Sequence, residues 1–270
     1  MLMTKEQFQA SIRARKPMNV YFLGKKIEDL TTFPPLAASF NAISTIYDLQ
    51  SRPEWKDLIT VPSHLSGQPV SIYNAPLRSA EDANRKTRAA RALAEVVGCC
   101  THRCTGSEAF AGLGPACYDM DHDLGTRYFD RFMKFLDYVQ RNDLTCTVTV
   151  TDVKGLRTLA PHEQPDPDMY VHVNEVRDDG IVISGYKCNQ TGILFAHEIV
   201  IVPTTNMRPE DKAFALACAV PADTPGLTFV LGRTPQDKRF FEVGGDIEGI
   251  DLGKKYADHQ ALVYFDHVCT

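Results

Sequence analysis

The 270-residue chain contains no run approaching the ~20 apolar residues of a membrane span, and its N-terminus lacks the apolar core of a signal peptide. Those absences predict a protein without a membrane span, placed in the cytoplasm. It also lacks a basic stripe. Its 29 Lys and Arg face 34 Asp and Glu, for a net charge of −5. The densest basic cluster (Arg85, Lys86, Arg88, Arg91) reads as the solvated face of a helix, so a nucleic-acid partner is excluded. No internal repeat and no low-complexity tract is present. The chain holds eight cysteines but only one closely spaced C-x3-C pair, Cys100-Thr-His-Arg-Cys104, with no second C-x2-C or C-x3-C to match it.

That pair organises the rest. If the alanine-rich helix that begins at Ser79-Ala-Glu-Asp82 runs through it, residues four apart share a face and both thiols point one way. Two thiolates can hold a soft metal, but a zinc site or an iron–sulfur cluster normally takes four protein ligands. Either the pair is two small buried thiols or its partners lie elsewhere. His102 would face elsewhere on a helix, which disfavours zinc. Cys99 reads as packing, and Cys117, Cys146, Cys188, Cys218 and Cys269 as core or surface thiols in a reducing compartment.

With 44% hydrophobic residues the chain can bury one large core or two medium ones. Thr4-Lys-Glu-Gln7 is a capping box ahead of Phe8 and Ile12. Asn19–Leu23 reads as a short strand ended by Gly24, and Pro34-Pro35 opens a helix with Leu36, Phe40, Ile43, Ile46, Tyr47 and Leu49 on one side. Further helices are predicted near 79–100, 106–122 and 126–141. Near Leu144 the pattern changes to strands, at 145–151, 169–176, 181–184, 198–202, 213–220, 227–231 and 261–268, with Arg177-Asp-Asp-Gly180 as a hairpin turn. The division predicted is α+β: a helical domain over 1–144 and an antiparallel β-barrel domain over 145–270. A strand so close to Thr270, with no closing element after it, predicts a chain cut at a domain boundary.

Several motifs in order then carry a resemblance. They are Met1-Leu-Met-Thr4, Tyr21-Phe-Leu-Gly24 with Ile27-Glu28, the cysteine pair followed by Gly106 and Ala109-Phe110, and Asn142-Asp143-Leu144. They continue with Thr151-Asp152 and Lys154-Gly155, Asp179-Gly-Ile-Val182, Gln190-Thr-Gly192, His197-Glu198, and Ala261-Leu-Val with Phe265-Asp266. In this order they resemble the N-terminal half of the 4-hydroxyphenylacetate 3-hydroxylase family. The resemblance covers essentially the whole chain and implies an acyl-CoA dehydrogenase-like fold whose C-terminal helical domain is absent here. Within the family, the aromatic hydroxylases carry Arg and Tyr where Cys100 and Cys104 stand. The cysteines instead resemble the dehydratase/isomerase branch, which implies FAD and a [4Fe–4S] cluster, with Cys100 and Cys104 as metal ligands and a His and a Cys from the missing domain.

The same resemblance implies a lyase that dehydrates a 4-hydroxyacyl-CoA in γ-aminobutyrate metabolism, as a cytoplasmic homotetramer. It implies that Thr151, Asp152, Lys154, Gly155, Arg157, Gln190, Thr191 and Gly192 hold the flavin, with Thr191 beside its reactive edge. As ordinary sequence, Thr-Asp and Gln-Thr-Gly are also common turn chemistry. The family pattern is broken at Asn189 (His elsewhere), Ile193 (Ser) and Gln260 (an active-site Glu). Gln260 is thus a candidate catalytic position, but an amide cannot act as a general base. His197 and Glu198 read as structural, because adjacent strand residues point to opposite faces. The competing expectations are a reduced-flavin aromatic hydroxylase and a cofactor-free folding or oligomerisation module. Residues 1–270 alone are expected to be inactive and to hold neither cofactor tightly.

Overall fold

A computed structural model describes residues 2–232 and 255–270 of the chain; Met1, which opens the first family motif, lies outside the described residues. The first helix, α1 (Lys5–Arg13), starts at the expected capping box: Gln7 N donates to Thr4 Oγ1 at 3.3 Å and Thr4 N donates to Gln7 Oε1 at 2.8 Å. Its buried Phe8 and Ile12 lie one turn apart and face the core. Two short strands follow, β1 (Asn19–Phe22) and β2 (Lys25–Lys26), joined by Leu23 and Gly24 with φ of 49° and 78°. Two left-handed residues suit the twist of a tight hairpin.

Helices α2 (Ala37–Gln50) and α3 (Pro53–Ile59) and a small hairpin, β3 (Thr60–Pro62) with β4 (Pro69–Ser71), lead to α4 (Ala80–Val97). Ser79 caps α4, and Ala89, Leu93 and Val97 recur every four residues as its buried stripe against Ile46, Leu49, Ile59 and Tyr73. Helices α5 (Cys104–Leu124) and α6 (Tyr128–Asn142) pack on each other through Phe110, Phe132, Leu136 and Val139. No helix among the described residues is long and apolar enough to cross a membrane.

The strands of the second half are β5 (Cys146–Thr149), β6 (His172–Val176), β7 (Ile181–Thr191), β8 (Glu198–Ile201), β9 (Cys218–Pro221), β10 (Leu227–Leu231) and β11 (Gln260–Cys269). Among the described residues they do not close into the expected barrel. One open sheet runs β2-β1-β10-β11-β7-β6, and β5-β8-β9 form a separate one. Nor is the pairing wholly antiparallel: β1 joins β10 in parallel and β5 joins β8 in parallel. One edge, β2, has only two residues, both exposed lysines, and such a stub offers no partner for closure. The strand expected over 213–220 begins instead as a 3-10 helix, Pro209–Phe214, before β9. Proline at its first position favours the helical turn over the ladder.

The main core joins the two halves of the sequence. Phe8, Phe40 and Tyr47 from α1 and α2 pack with Ile183, Phe195, Phe229, Val263 and Phe265. The Phe8 and Tyr47 rings stack at 4.3 Å. Near the start of α5, Gly106 lies directly on the Cys146 backbone and side chain at the head of β5, where no Cβ fits. Gly106→Ala is therefore expected to force α5 off β5 and to destabilise the fold by about 1–3 kcal/mol, read as a lower urea midpoint. An unchanged midpoint would show that this helix–sheet contact is not close-packed.

Candidate functional site

The two thiols do converge, but not for the helical reason. Helix α4 ends at Val97, capped by Gly98 in the left-handed region at φ 62°, and α5 begins only at Cys104. Cys100 stands in the loop between them, where His102 adopts φ 59°. That sharp turn brings Cys100 Sγ to 3.4 Å from Cys104 Sγ, while His102 N donates to Cys100 Sγ at 3.4 Å. The close S–H···S contact favours a single thiolate in the pair: Cys104 is lowered by the bond from Cys100, and Cys100 is raised by the same bond. Cys99 points away, donating to the Cys100 carbonyl at 3.5 Å, and burial pushes its thiol up to about 12.

The loop is held by an ion pair that composition and spacing did not single out. Arg103, one residue before Cys104, is buried, and its guanidinium meets Asp143 Oδ1 at 2.7 Å. It also donates to Gln50 Oε1 at 3.2 Å and lies 4.6 Å from the centre of the Tyr47 ring. Asp143 caps α6 in the left-handed region at φ 48°; its other oxygen accepts from Met3 N at 3.0 Å and Gln50 Nε2 at 2.5 Å. Burial works to discharge the guanidinium, and the adjacent carboxylate outweighs it, so Arg103 stays charged. An Arg inside the C-x3-C segment and an Asp directly after α6 were the signals available in the sequence.

The loop lies against the Gln190-Thr-Gly192 segment. A Cβ on Gly192 would sit 3.0 Å from His102 Nδ1, and Gly192 itself needs φ 75°. His102 is fully buried; its Nε2 donates to the Ala257 carbonyl at 3.2 Å, which leaves Nδ1 as a lone pair with no donor. The His259 ring stacks 5.7 Å away, with Nε2 accepting from Leu194 N at 3.0 Å. Burial lowers both imidazoles, so both are neutral. Three buried side-chain atoms, His102 Nδ1, Arg103 Nε and Ser107 Oγ, lack a hydrogen-bond partner among the described residues, whereas Tyr73 Oη and Thr101 Oγ1 interact with each other. All three lie within or just after the cysteine loop, and Tyr73 packs in the same cluster as Cys99 and Cys104. Buried polar atoms rarely go unpaired, so this concentration fits a place completed by a bound group.

Two soft donors suit an iron–sulfur or other thiophilic metal centre. Among the described residues no three His, Cys, Asp or Glu are arranged to hold a metal, so the pair is at most part of a ligand shell.

The residues expected near a flavin fall into two sets. Thr191 and Gln260 are direct partners in the β7–β11 register, so their side chains share one face of the sheet. Thr147 Oγ1, from β5, donates to the Thr191 carbonyl at 3.1 Å and lies 3.4 Å from Thr105 Oγ1, so the helix carrying Cys104 reaches Thr191 through two hydroxyls. Gln190 is buried and ties the two sets together, donating to the Thr151 carbonyl at 3.3 Å. In the second set, Thr151, Gly155 and Arg157 are exposed and Lys154 is half-buried at φ 72°. Asp152 is buried, its carboxylate occupied by Lys187 Nζ at 2.5 Å and by the Thr204 hydroxyl. Lys187 also donates to the Val150 and Val202 carbonyls, which accounts for all three of its protons.

His197 and Glu198 have separate partners. Ser11 donates to the Phe8 carbonyl at 2.7 Å, so His197 Nε2–H donates to Ser11 Oγ at 2.8 Å while Nδ1 accepts from Thr145 N at 3.0 Å. Burial lowers His197 to about 3, the charges of Arg15 and Arg103 adding to the effect. Glu198 accepts from Tyr138 Oη at 3.2 Å, and burial raises it to about 7.

Known proteins resemble the chain along its whole length. Residues 4–270 match the family described as 4-hydroxyphenylacetate 3-hydroxylase N terminal. The chain is 39% identical over 269 residues to the 4-hydroxybutyryl-CoA dehydratase/vinylacetyl-CoA-Delta-isomerase of Clostridium aminobutyricum, covering 99% of this chain and 54% of that one. It superposes with a TM-score of 0.92 and 31% identity on the oxygen-tolerant 4-hydroxybutyryl-CoA dehydratase of N. maritimus, over 100% of this chain and 53% of that structure. The oxygenase component of 4-hydroxyphenylacetate 3-monooxygenase, solved with FAD, superposes with a TM-score of 0.78 and 26% identity, over 99% and 53%. The chain thus spans about half the length of the relatives it matches.

Two outcomes test this geometry. Asp143→Asn leaves Arg103 charged and buried without its counterion, and is expected to cost about 3–5 kcal/mol in urea unfolding. A loss below 1 kcal/mol would show that water reaches the guanidinium. The second uses the opposed titrations of His197 and Glu198. The fold keeps Glu198 protonated up to about 7 against an ordinary 4.5, so its contribution is full below pH 4.5 and lost as pH rises to 7. It keeps His197 neutral down to about 3 against an ordinary 6.5, so that contribution is full above pH 6.5 and lost as pH falls. Glu198→Gln is expected to gain on the order of 1–3 kcal/mol at pH 8 and nothing at pH 4. Equal effects at both pH values would mean Glu198 is not protonated in the fold.

Proposed function

The chain belongs to the family described as 4-hydroxyphenylacetate 3-hydroxylase N terminal, and on that premise we propose that it is the N-terminal part of an FAD- and [4Fe–4S]-dependent 4-hydroxyacyl-CoA dehydratase/isomerase. The observation that carries the reading is the pair of thiols 3.4 Å apart in a loop packed on Gly192. A flavin hydroxylase needs no such donors. The similarity to a dehydratase over 99% of the chain supports the same branch. The acyl-CoA substrate, the acyl-CoA dehydrogenase-like whole fold and the tetramer belong to this proposal, as does a cytoplasmic setting.

In this reading Cys100 and Cys104 offer two thiolates, and the remaining ligands come from outside the described residues. The chemistry the bound groups supply is one-electron transfer and Lewis-acid help to a departing hydroxyl. The chain's own residues position and exclude. Arg103 and Asp143 fix the loop in which the thiols converge. Thr191 and Gln260 present a hydroxyl and an amide side by side on the sheet face, able to donate and accept hydrogen bonds but not to take up a proton at neutral pH. Proton removal from the substrate therefore falls to another group. Lys187 and Asp152, neutralised by each other, hold Val150 and Val202 together beneath the Thr151–Arg157 loop. Lys154 and Arg157, which form no ion pair among the described residues, are that loop's cations for a flavin's phosphates.

The test is expression of the gene product that carries this chain, purified without oxygen. The expected product is brown, holds FAD and about four irons per subunit, and dehydrates 4-hydroxybutyryl-CoA. Cys100→Ser and Cys104→Ser should each lose the iron. A yellow, iron-free protein that hydroxylates a phenol when given reduced flavin would overturn the proposal and establish the hydroxylase instead.

A further inference from the structure

Cys100 and Cys104 are placed for a second chemistry that needs no metal. Their sulfurs lie 3.4 Å apart, and a disulfide brings them to about 2.05 Å, a closing motion of about 1.4 Å. The two residues are unequally held. Cys104 opens α5 directly after Arg103, which is pinned to Asp143. Cys100 stands outside both helices, so the closing motion falls on it. Both are partly open to solvent. The other thiols are poor competitors. Cys99 donates to the Cys100 carbonyl, Cys188 donates to the Asp152 carbonyl at 3.4 Å, and Cys146 is buried under Gly106. Among the described residues no other two cysteines share a hydrogen bond.

We propose that Cys100 and Cys104 form a reversible intrachain disulfide, a covalent redox site that closes whenever no metal holds the two thiols. The oxidant is a small-molecule disulfide of the glutathione type. The Cys104 thiolate attacks one of its sulfurs and expels a thiolate, giving a mixed disulfide on Cys104. Cys100 then loses its proton to water, and its sulfur displaces the second small thiol. Two protein thiols are oxidised, and one disulfide is reduced to two thiols, so electrons and protons balance. The closed form has no thiolate to offer a metal, and both sulfurs are shielded from irreversible oxidation to sulfinic acid. The fixed Arg103 and the loop at Cys100 together make the device: one sulfur waits and the other swings. This inference stands on the thiol geometry and holds whether or not the protein is a dehydratase.

The protein, stripped of metal with a chelator, is equilibrated with oxidised glutathione, quenched with an alkylating agent and mapped by mass spectrometry without reduction. The expected result is a peptide spanning residues 100–104 that carries no alkyl group on either cysteine and is two hydrogens lighter than the dithiol. Dithiothreitol should restore both alkylations. Cys99→Ser should keep the linkage, while Cys100→Ser and Cys104→Ser should abolish it. Full alkylation of both residues after oxidation, a linkage to Cys99, or a glutathione adduct that persists on Cys104 would each overturn the proposal. The readout is mass alone, so it is independent of iron content and of turnover.

Discussion

The contact on which the rest of the site depends is the buried pair of Arg103 and Asp143. It joins four parts of the chain that are distant in sequence. These are the loop between α4 and α5, the cap of α6, the side chains of Tyr47 and Gln50 on α2, and the backbone of Met3 at the N-terminus. Such a pair is not a large source of stability, because desolvating two charges offsets most of their attraction. Its value is positional. With every oxygen of Asp143 engaged and the guanidinium lying over an aromatic ring, few other arrangements of these segments satisfy both charges.

From that anchor the geometry propagates in short steps. Arg103 precedes Cys104, and the left-handed turn at His102 folds Cys100 back onto it. The imidazole of His102 packs tightly on Gly192, whose φ of 75° favours glycine, and Thr105 reaches Thr191 through Thr147. Thr191 in turn faces Gln260 across the sheet. Thiols and strand residues nearly a hundred positions apart thus share one small region. The concentration of unpartnered buried polar atoms beside the thiols marks that region as different from the remainder of the core. Lys187 shows the contrasting case: a buried cation with every proton placed, and so a structural staple.

The open sheets follow from how the halves are connected. Strand β1 enters beside β10, so α1 and α2 are drawn over the sheet and their aromatic rings complete its core. A closed barrel would have buried the sheet's inner face against itself and left those helices without a surface to cover.

Much was legible in the residues themselves. Helix caps at Thr4 and Ser79, the four-residue stripe of α4 and the alternating runs of β10 and β11 are local signals, and they place those elements correctly. The motifs also pointed to the family, and the lone C-x3-C to the part of it with thiol chemistry. What only tertiary structure decided was everything that depends on contacts between distant segments. Periodicity favoured a helix through Cys100, but Gly98 ends that helix, and the thiols meet because a loop is pulled back by Asp143. Alternation identified strands but not their neighbours, so the parallel β1–β10 and β5–β8 pairings and the open edges were invisible. Asp152 was placed beside the flavin by the resemblance, and its buried partner Lys187, 35 positions away, was not legible in the sequence. Side-chain type and spacing are properties of the chain, whereas ion pairing, strand order and burial of polar groups are settled by which segments exclude water together.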